Sequence, residues 1–300
     1  MIPARDAEAR RRACEAVLHK LETGAFSPPM ALMELLIEAE DEAMVARVVR
    51  DAAARSTKAA AMLPLVEANA EGCARIAAML RADVDVPPQQ ATIAEGVAFC
   101  RRLFDWSVQQ SEEASVALYS LGNPDILADA TREIVDAFRA WGVLGERRDA
   151  LDIGCGIGRM EQALAGSIRV VRGIDVSSEM IAVARRRCAG LGNVTLATCS
   201  GFDLQPLANA SFDVVFAIDS FPYLVQSGMA LVDAHFAEVA RVLRCGGDFL
   251  LLNFSYREDA AADRQDVRSL ASAHGLSVEI DGTTPFALWN GLAFRMKRGG

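Results

Sequence analysis

The chain has few of the features that mark metal, redox or membrane proteins. Its 300 residues include only three histidines, and its seven cysteines form no CxxC pair and no His/Cys cluster with metal-ligand spacing. No apolar run reaches the roughly 18 residues that a membrane span needs, and the charged N-terminus lacks a secretory apolar region. We therefore predict reduced thiols, no metal site, no membrane partner and a cytoplasmic location.

An excess of basic charge is also missing. The formal net charge is −9, whereas a nucleic-acid surface needs clustered Lys and Arg. The arginines near the start are interleaved with acids, which is typical of a solvated helix face. The charge balance therefore argues against a nucleic-acid partner. The hydrophobic content of 52% is ample for a buried core, and the length suits two domains.

The first part of the chain is rich in Ala, Leu and Glu and shows helical periodicity with almost no strand signal. Ser27 followed by Pro28 predicts a capped helix start, whereas Pro64 and Gly72 are expected to interrupt later helices. We predict a bundle of about four helices. It would serve for packing, as in a homodimer, or as a cap over an active site.

Domain boundaries follow from changes in this pattern. The Pro87-Pro88 pair is typical of a linker. We predict an N-terminal helical domain over 1–88, a helical lid and lead-in over 89–148, and a catalytic domain over 149–300. Asn123 and Pro124 predict the start of a helix, and Tyr119, in the semi-polar stretch before it, is a candidate lid residue.

From residue 149 onward, short apolar runs alternate with helical segments. Strands are predicted near 150–153, 170–175, 194–198, 212–218, 247–254, 277–281 and 287–296. Helices are predicted near 160–166, 178–190, 228–244 and 262–274. This alternation indicates an α/β fold with a doubly wound sheet that binds ligands at the carboxyl ends of its strands. The last two strands have no helix between them, so they should pair antiparallel at one edge.

A glycine-rich turn follows the first of these strands. Gly154, Gly156 and Gly158 alternate, and glycine permits positive φ and close approach of a ligand to the backbone. Asp175 ends the next apolar run, about 20 residues beyond the turn, where an acid can accept hydrogen bonds from a ribose. A nicotinamide-binding domain is the rival interpretation, but it predicts G-x-G-x-x-G, and position 159 is Arg.

Four segments, in order, resemble the motifs of class I S-adenosylmethionine-dependent methyltransferases, over about residues 115–298. They are Asp152–Gly158, Gly173–Met180, Ser211–Val215 and Arg241–Gly247, the last with Cys245 where proline is usual. The resemblance implies a Rossmann-like, doubly wound, seven-stranded sheet with an antiparallel edge strand. It also implies S-adenosylmethionine as cofactor and S-adenosylhomocysteine as product.

The resemblance also implies a set of cofactor-binding residues. Asp152 would pair with the ammonium group of the cofactor, and Asp175 with the two ribose hydroxyls. Val176 and Met180 would pack against adenine, whose amino edge would lie near the segment after the third strand. The full predicted set is Tyr119, Asp152, Gly154, Cys155, Gly156, Gly158, Asp175, Val176, Met180, Gly201, Phe202, Asp203 and Ile218.

The reactive methyl group should lie near the ends of the fourth and fifth strands. We predict Tyr256 and Asp219 as catalytic candidates, because a tyrosine attracts a sulfonium and a carboxylate can assist a proton-bearing nucleophile. His235 lies in an amphipathic run, so we interpret it as a helix-surface or core histidine. Candidate substrate-binding residues are Tyr223, Asn253, Ser255, Thr283 and Trp289.

The predicted function is in-line methyl transfer to an oxygen, nitrogen or sulfur nucleophile of a small-molecule substrate. The sequence leaves two alternatives open. In one, the enzyme cyclises or cleaves S-adenosylmethionine itself, because the cofactor motifs would look the same. In the other, the protein is a catalytically silent binding partner, although a degraded cofactor site, its expected mark, is missing.

Overall fold

A computed structural model of the chain describes residues 7–82, 84 and 92–300. They form two compact units. The helical unit consists of the described residues of Met1–Val86 together with Trp106–Ala130 and Phe286–Asn290, and the sheet unit of those of Pro87–Asp105 with Thr131–Pro285 and Gly291–Gly300. The Pro87-Pro88 linker lies outside the described residues. The division into 1–88, 89–148 and 149–300 stays a prediction.

The helical unit begins with six helical segments, two more than the periodicity predicted. They are α1 (Ala7–Thr23), α2 (Pro28–Ala39), α3 (Glu42–Ala53), α4 (Thr57–Ala60), α5 (Leu63–Ala68) and α6 (Ala70–Arg81). Later in the chain come α7 (Ile93–Gln110), α8 (Glu112–Val116), a 3-10 turn (Leu118–Ser120) and α9 (Pro124–Ala140). The division between the two units falls within α7 and within α9.

Capping side chains set several of these helix starts. The Ser27 hydroxyl accepts a hydrogen bond from the backbone N–H of Met30 at 3.3 Å, and Asn123 accepts one from Asp125 at 2.8 Å, as predicted. The expectation that Gly72 interrupts a helix is wrong, because Gly72 lies inside α6. A Cβ there would overlap the carbonyl oxygen of Leu121, so the glycine permits close packing.

The sheet unit is built on seven strands in the order β3-β2-β1-β4-β5-β7-β6. Their bounds are β1 (Gly145–Ile153), β2 (Ile168–Asp175), β3 (Val194–Thr198), β4 (Phe212–Ile218), β5 (Leu243–Leu252), β6 (Leu276–Thr283) and β7 (Ala293–Arg298). The first five strands pair in parallel, and β7 is antiparallel to both β5 and β6. The predicted seven-stranded α/β fold with an antiparallel pair at one edge is confirmed.

Helices connect these strands. They are α10 (Arg159–Leu164), α11 (Ser178–Arg187), α12 (Phe221–Ser227), α13 (Met229–Val242) and α14 (Ala260–Ala273). Alternate residues of β4 and β5, such as Val215 and Leu251, pack with Phe236 of α13 and Val267 of α14 in a fully buried core. This core fixes the carboxyl ends of β1, β4 and β5 side by side.

Two details differ from the sequence prediction. The last strand begins at Ala293 rather than at 287, and 284–292 is irregular. Helix α12 follows β4 where no helix was predicted, and Pro222 occupies its first turn, where a missing N–H costs nothing. This helix brings Tyr223 back beside the strand end.

Candidate active site

The glycine turn leaves the end of β1 and folds over the end of β2. Gly154, Gly156 and Gly158 have φ values of +82°, +53° and +75°, a region that favours glycine. The N–H groups of Gly154 and Cys155 both donate to the carbonyl of Ile174, at 2.8 and 3.0 Å. The turn is therefore fastened to β2 immediately before Asp175.

Close packing also requires these glycines. A Cβ on Gly154 would overlap the side chain of Ser220, and one on Gly158 would lie 2.9 Å from the Cβ of Ala184 in α11. The Ser220 hydroxyl donates to the carbonyl of Ile153 at 2.6 Å. The glycine turn at the end of β1 is thus in direct contact with the segment that follows β4.

Asp175 is buried, and the backbone holds both of its carboxylate oxygens. One oxygen accepts from the N–H of Gly156 and the other from the N–H of Ser177, each at 2.9 Å. Burial raises the pKa of Asp175, and these hydrogen bonds oppose the rise. Each carboxylate oxygen can accept a further hydrogen bond, so the group is oriented yet able to bind a ligand hydroxyl.

A further buried acid, Glu161, lies close to Asp152 beneath the glycine turn, and no sequence motif pointed to it. Asp152 on β1 and Glu161 on α10 are both buried, and their carboxyl groups lie within hydrogen-bonding reach of each other. Burial raises the pKa of Glu161 to about 7, and burial together with the Glu161 charge raises that of Asp152 well above its usual range. The two carboxyl groups thus share one proton near neutral pH.

Helix α7 fixes the loop after Asp175 from the opposite side. The Asp105 carboxylate accepts from the hydroxyl of Ser177 at 2.6 Å and from the N–H of Glu179 at 3.2 Å, and Arg101 donates to the carbonyl of Val176 at 3.2 Å. These α7 residues carried no motif in the sequence. Their role appears only when a helix more than 70 residues away meets the loop.

The other residues predicted beside adenine lie around the ends of β2 and β3. Met180 is buried, whereas Phe202 is 40% exposed. A Cβ on Gly201 would lie 2.7 Å from Val176 and 2.8 Å from Val97 of α7, so this glycine allows the segment after β3 to approach the loop after β2. Asp203 accepts from the N–H of Gln205 in a local turn.

A second polar cluster follows β4 and β5. Asp219 and Asn253 come directly after these neighbouring strands, and both have positive φ, +55° and +70°. Such conformations are uncommon outside glycine, although Asp and Asn tolerate them best. The Asn253 amide donates to Asp219 at 2.8 Å, and the Tyr256 hydroxyl lies 3.5 Å from the same oxygen. Burial raises the pKa of Asp219 to about 6.

Aromatic rings line this second cluster. The rings of Tyr223 and Tyr256 meet edge to face with centroids 5.8 Å apart, and Phe104 of α7 meets Tyr223 at 4.8 Å. Tyr256 is 49% exposed, so its ring faces solvent while its hydroxyl faces Asp219. The cluster combines a carboxylate of raised pKa with an apolar, aromatic wall.

Other predicted site residues have different surroundings. The Ser255 hydroxyl is buried and donates to Asp263 at 2.7 Å, and Thr283 is exposed at the end of β6. Tyr119 and Trp289 both belong to the helical unit, where they are buried and their rings stack with centroids 6.4 Å apart. The structure thus brings Tyr119 and Trp289 together, and their predicted roles remain predictions.

His235 has the core position that the sequence allowed for it. His235 is buried in α13, its Nδ1 lies 2.9 Å from the carbonyl oxygen of Leu231, and burial lowers its pKa. Burial raises the pKa of the Cys155 thiol in the glycine turn. Within 7–82, 84 and 92–300, no group of three or more His, Cys, Asp and Glu side chains is arranged to hold a metal ion.

No helix among the described residues is both long enough and apolar enough to cross a membrane.

The part of the chain that contains the glycine turn, Asp175 and Asp219 is also the part that resembles known proteins. Residues 151–251, from β1 to β5, match the methyltransferase domain family. A demethylmenaquinone methyltransferase of Clavibacter sepedonicus is 32% identical over 177 residues, which are 59% of this chain and 63% of that protein. A demethylmenaquinone methyltransferase of Tropheryma whipplei is 31% identical over 108 residues and is covered over 42% of its length. The chain thus spans less than two thirds of these relatives.

Solved structures share the fold. Phosphoethanolamine N-methyltransferase 1 of Haemonchus contortus, solved with phosphoethanolamine and S-adenosylhomocysteine, has a TM-score of 0.58 at 18% identity, over 70% of this chain and 50% of that one. Magnesium protoporphyrin IX methyltransferase of Synechocystis, solved with S-adenosylmethionine, has a TM-score of 0.50 at 17% identity, over 68% of this chain and 97% of that one.

Proposed function

We propose that residues 151–251, which match the methyltransferase domain family, form a class I S-adenosylmethionine-dependent methyltransferase domain, and that the chain transfers the methyl group of S-adenosylmethionine to a small-molecule acceptor. The observation that carries the proposal is the joining of the glycine turn to Asp175. The N–H of Gly156 holds one carboxylate oxygen at 2.9 Å, at the ends of two adjacent parallel strands. That arrangement suits a ribose on Asp175 with the rest of the cofactor along the turn.

The residues present fit this cofactor. Gly154 and Gly156 have positive φ and no side chain, so a ligand can approach their backbone. Asp175 retains acceptor capacity for two hydroxyls, and one oxygen of Asp152 is buried with no hydrogen-bond partner, which suits it to an ammonium group. When bound, S-adenosylmethionine supplies an electrophilic methyl group on a sulfonium.

The acceptor would bind at the second cluster. Asp219, with a pKa raised to about 6, is ionised at neutral pH and is placed to take the proton of a hydroxyl or amine nucleophile. Asn253 holds the carboxylate at 2.8 Å, and Tyr223 and Tyr256 provide an apolar wall. A thioether or thiolate acceptor would bind there without a base. Positioning of the acceptor in line with the methyl group supplies much of the rate.

Product analysis tests the proposal. Purified protein is first titrated with S-adenosylhomocysteine by calorimetry. It is then incubated with labelled S-adenosylmethionine and a panel of phenols, amines and thiols, with demethylmenaquinone and phosphoethanolamine added because the relatives' names give them. We expect acceptor-dependent S-adenosylhomocysteine. Methylthioadenosine without an acceptor would favour cleavage or cyclisation of the cofactor, binding without turnover would favour a silent partner, and no binding would refute all three.

Further attributes belong to the same proposal. A cytoplasmic location, a homodimer through the helical domain, and the lack of nucleic-acid and membrane partners are predictions from charge and composition. Gel filtration with light scattering tests the dimer.

A further inference from the structure

The buried acids Asp152 and Glu161 lie on one face of the sheet, under the glycine turn. Asp152 is in β1 and pairs with Gly173 of β2, and a Cβ on Gly173 would overlap a carboxylate oxygen of Glu161. The glycine in β2 therefore makes the room in which Glu161 lies. The same Cβ would also overlap the side chain of Cys155, so Glu161 lies beside the glycine turn.

This carboxyl pair lacks the partners that a purely structural pair would have. Both oxygens of Glu161 and one of Asp152 are buried, and within the described part of the chain no other side chain donates a hydrogen bond to them, so the two carboxyl groups rely on each other. Burying a polar group without a partner is costly, and more costly when the group is charged. Buried acids that only support a fold are normally hydrogen-bonded. A buried carboxyl pair with too few hydrogen-bond donors, beside a turn that can bind a ligand, indicates that the ligand supplies the missing donor.

The charged and titratable groups facing the pair come from four elements. Arg159 of α10 lies near both acids and favours their ionised forms, but its guanidinium donates to the Thr131 hydroxyl at 3.2 Å. Asp175 of β2 disfavours ionisation of both acids.

The thiols of Cys155 in the turn and Cys188 at the end of α11 also lie near Glu161, and burial raises the pKa of each. Both thiols stay neutral near pH 7. The pair therefore has one compensating cation and two carboxylates, with a third close by. It can bind one further positive charge.

We propose that Asp152 and Glu161 together form the receptor for the ammonium group of S-adenosylmethionine, and that the pair holds a shared proton before the ligand binds and releases it to solvent when the ammonium group arrives. The proposal rests on the proposed function. Charge balances, because the pair passes from one negative charge to two as one ammonium arrives. The N–H groups of that ammonium become the missing donors. Glu161 acts beside Asp152 as a second negative charge for the ammonium group.

A proton count on binding tests this step. S-adenosylhomocysteine is titrated calorimetrically at pH 7 in buffers of different ionisation enthalpy, so that the dependence of the heat on the buffer gives the protons released. Because the pKa of Glu161 is about 7 and that of Asp152 is also raised, we expect release of between about half a proton and one proton at pH 7. The dissociation constant should be about tenfold larger at pH 6 than at pH 8, because the proton competes with the ammonium.

Two comparisons isolate the ammonium group and Glu161. Methylthioadenosine shares the adenosine and the thioether but has no ammonium group, so it should bind without releasing a proton, and any titration of Asp219 would appear with both ligands. Glu161→Gln should bind S-adenosylhomocysteine with no proton release and a flat pH dependence. Glu146→Gln, the same change at an exposed position of β1, should behave as the unaltered protein does.

Each result decides between the proposals. Equal proton release with both ligands, unchanged release in Glu161→Gln, or no release by the unaltered protein would each overturn the role of Glu161 while leaving the cofactor site standing. No binding of S-adenosylhomocysteine would instead refute the proposed function and this inference with it. If Glu161→Gln did not fold, the two ligands compared on the unaltered protein would still decide.

Discussion

The proposed active site has a cofactor end and an acceptor end, and both lie at the same edge of the sheet but are held by different means. At the cofactor end, β1 and β2 finish in a glycine turn and Asp175, and backbone N–H groups hold the functional carboxylate at 2.9 Å. At the acceptor end, β4 and β5 finish in Asp219 and Asn253, and side chains hold the functional carboxylate. A carboxylate held by backbone N–H groups depends on the conformation of the chain. A carboxylate held by side chains depends on which residues are present.

This difference separates what is general from what is particular in the molecule. A turn held by its own backbone can keep one ligand while its side chains vary. A carboxylate held by Asn253 and Tyr256, beside the ring of Tyr223, changes whenever one of those residues changes. We infer that the cofactor end carries the common part of the function and the acceptor end its specificity.

The sharpest test of the comparison removes the acceptor-end base. Asp219→Asn keeps the shape and the bond to Asn253 but cannot take a proton, so we expect kcat to fall by about 10²- to 10⁴-fold. Affinity for S-adenosylhomocysteine should stay within about twofold, since the cofactor end is held separately. Steady-state kinetics with the identified acceptor and calorimetry measure the two quantities. Asp51→Asn, on the exposed face of α3, is the control.

The same residue sets a pH dependence. Because burial raises the pKa of Asp219 to about 6 and a base must be ionised, kcat/KM of the unaltered protein should fall about tenfold per pH unit below that value. That limb should vanish in Asp219→Asn. A variant that kept full activity, or lost cofactor affinity instead, would contradict the separation of the two ends.

The matching change at the cofactor end is Asp175→Ala. It removes two charge-assisted acceptor atoms for the ribose and leaves the N–H groups of Gly156 and Ser177 without their partner. At about 1.5–3 kcal/mol for each of the two bonds, the dissociation constant for S-adenosylhomocysteine should rise by about 10²- to 10⁴-fold. Thermal unfolding of the variant distinguishes loss of binding from loss of fold. An unchanged dissociation constant in a folded variant would refute the assignment of Asp175.

The pH dependence of the free energy of unfolding tests whether the ionised pair of Asp152 and Glu161 destabilises the fold. The pKa of Glu161 is raised from 4.5 to about 7 in the folded chain, so folding favours its protonated form. The resulting stability is present below about pH 4.5 and is lost as pH rises through 7. Glu161→Gln does not titrate, so its stability relative to the unaltered protein should improve by about 2–3 kcal/mol between pH 4.5 and pH 8.

Urea unfolding at both pH values measures this difference, and Glu146→Gln should show no such gain. A gain of equal size at pH 4.5 and pH 8 would mean that Glu161 does not titrate between them.

The sequence predicted the sheet and the cofactor end better than the acceptor end, for physical reasons. The glycine turn and Asp175 lie within one local strand–turn–helix unit, so their spacing carries the geometry. Asp219 and Asn253 meet only because β4 and β5 are neighbours, and nothing local fixes their positive φ. Glu161 shows the same limit, since its burial depends on the room that Gly173 leaves in another strand.

Long-range contacts account for the other differences. The segment 284–292 has the apolar residues of a strand, but Phe286 and Trp289 are buried with Tyr119 in the helical unit. Tertiary packing there outweighs β propensity. Likewise, the helical region predicted over 89–148 gave no sign that Asp105 of α7 would cap α11.

The smallest expected effect comes from removing Asp105, which caps α11. It tests whether the backbone hydrogen bonds to Asp175 order the loop without help from α7. Asp105→Ala removes the acceptor for the Ser177 hydroxyl and the Glu179 N–H while leaving Asp175 and its own two hydrogen bonds in place. If the backbone alone orders the loop, the dissociation constant for S-adenosylhomocysteine should rise only about three- to fivefold, or roughly 1 kcal/mol. In an Asp175→Ala background the further loss should disappear, because both residues act through the same loop. An effect as large as that of Asp175→Ala would show that α7, and not the glycine turn, holds the cofactor end together, and the contrast between the two ends would fail.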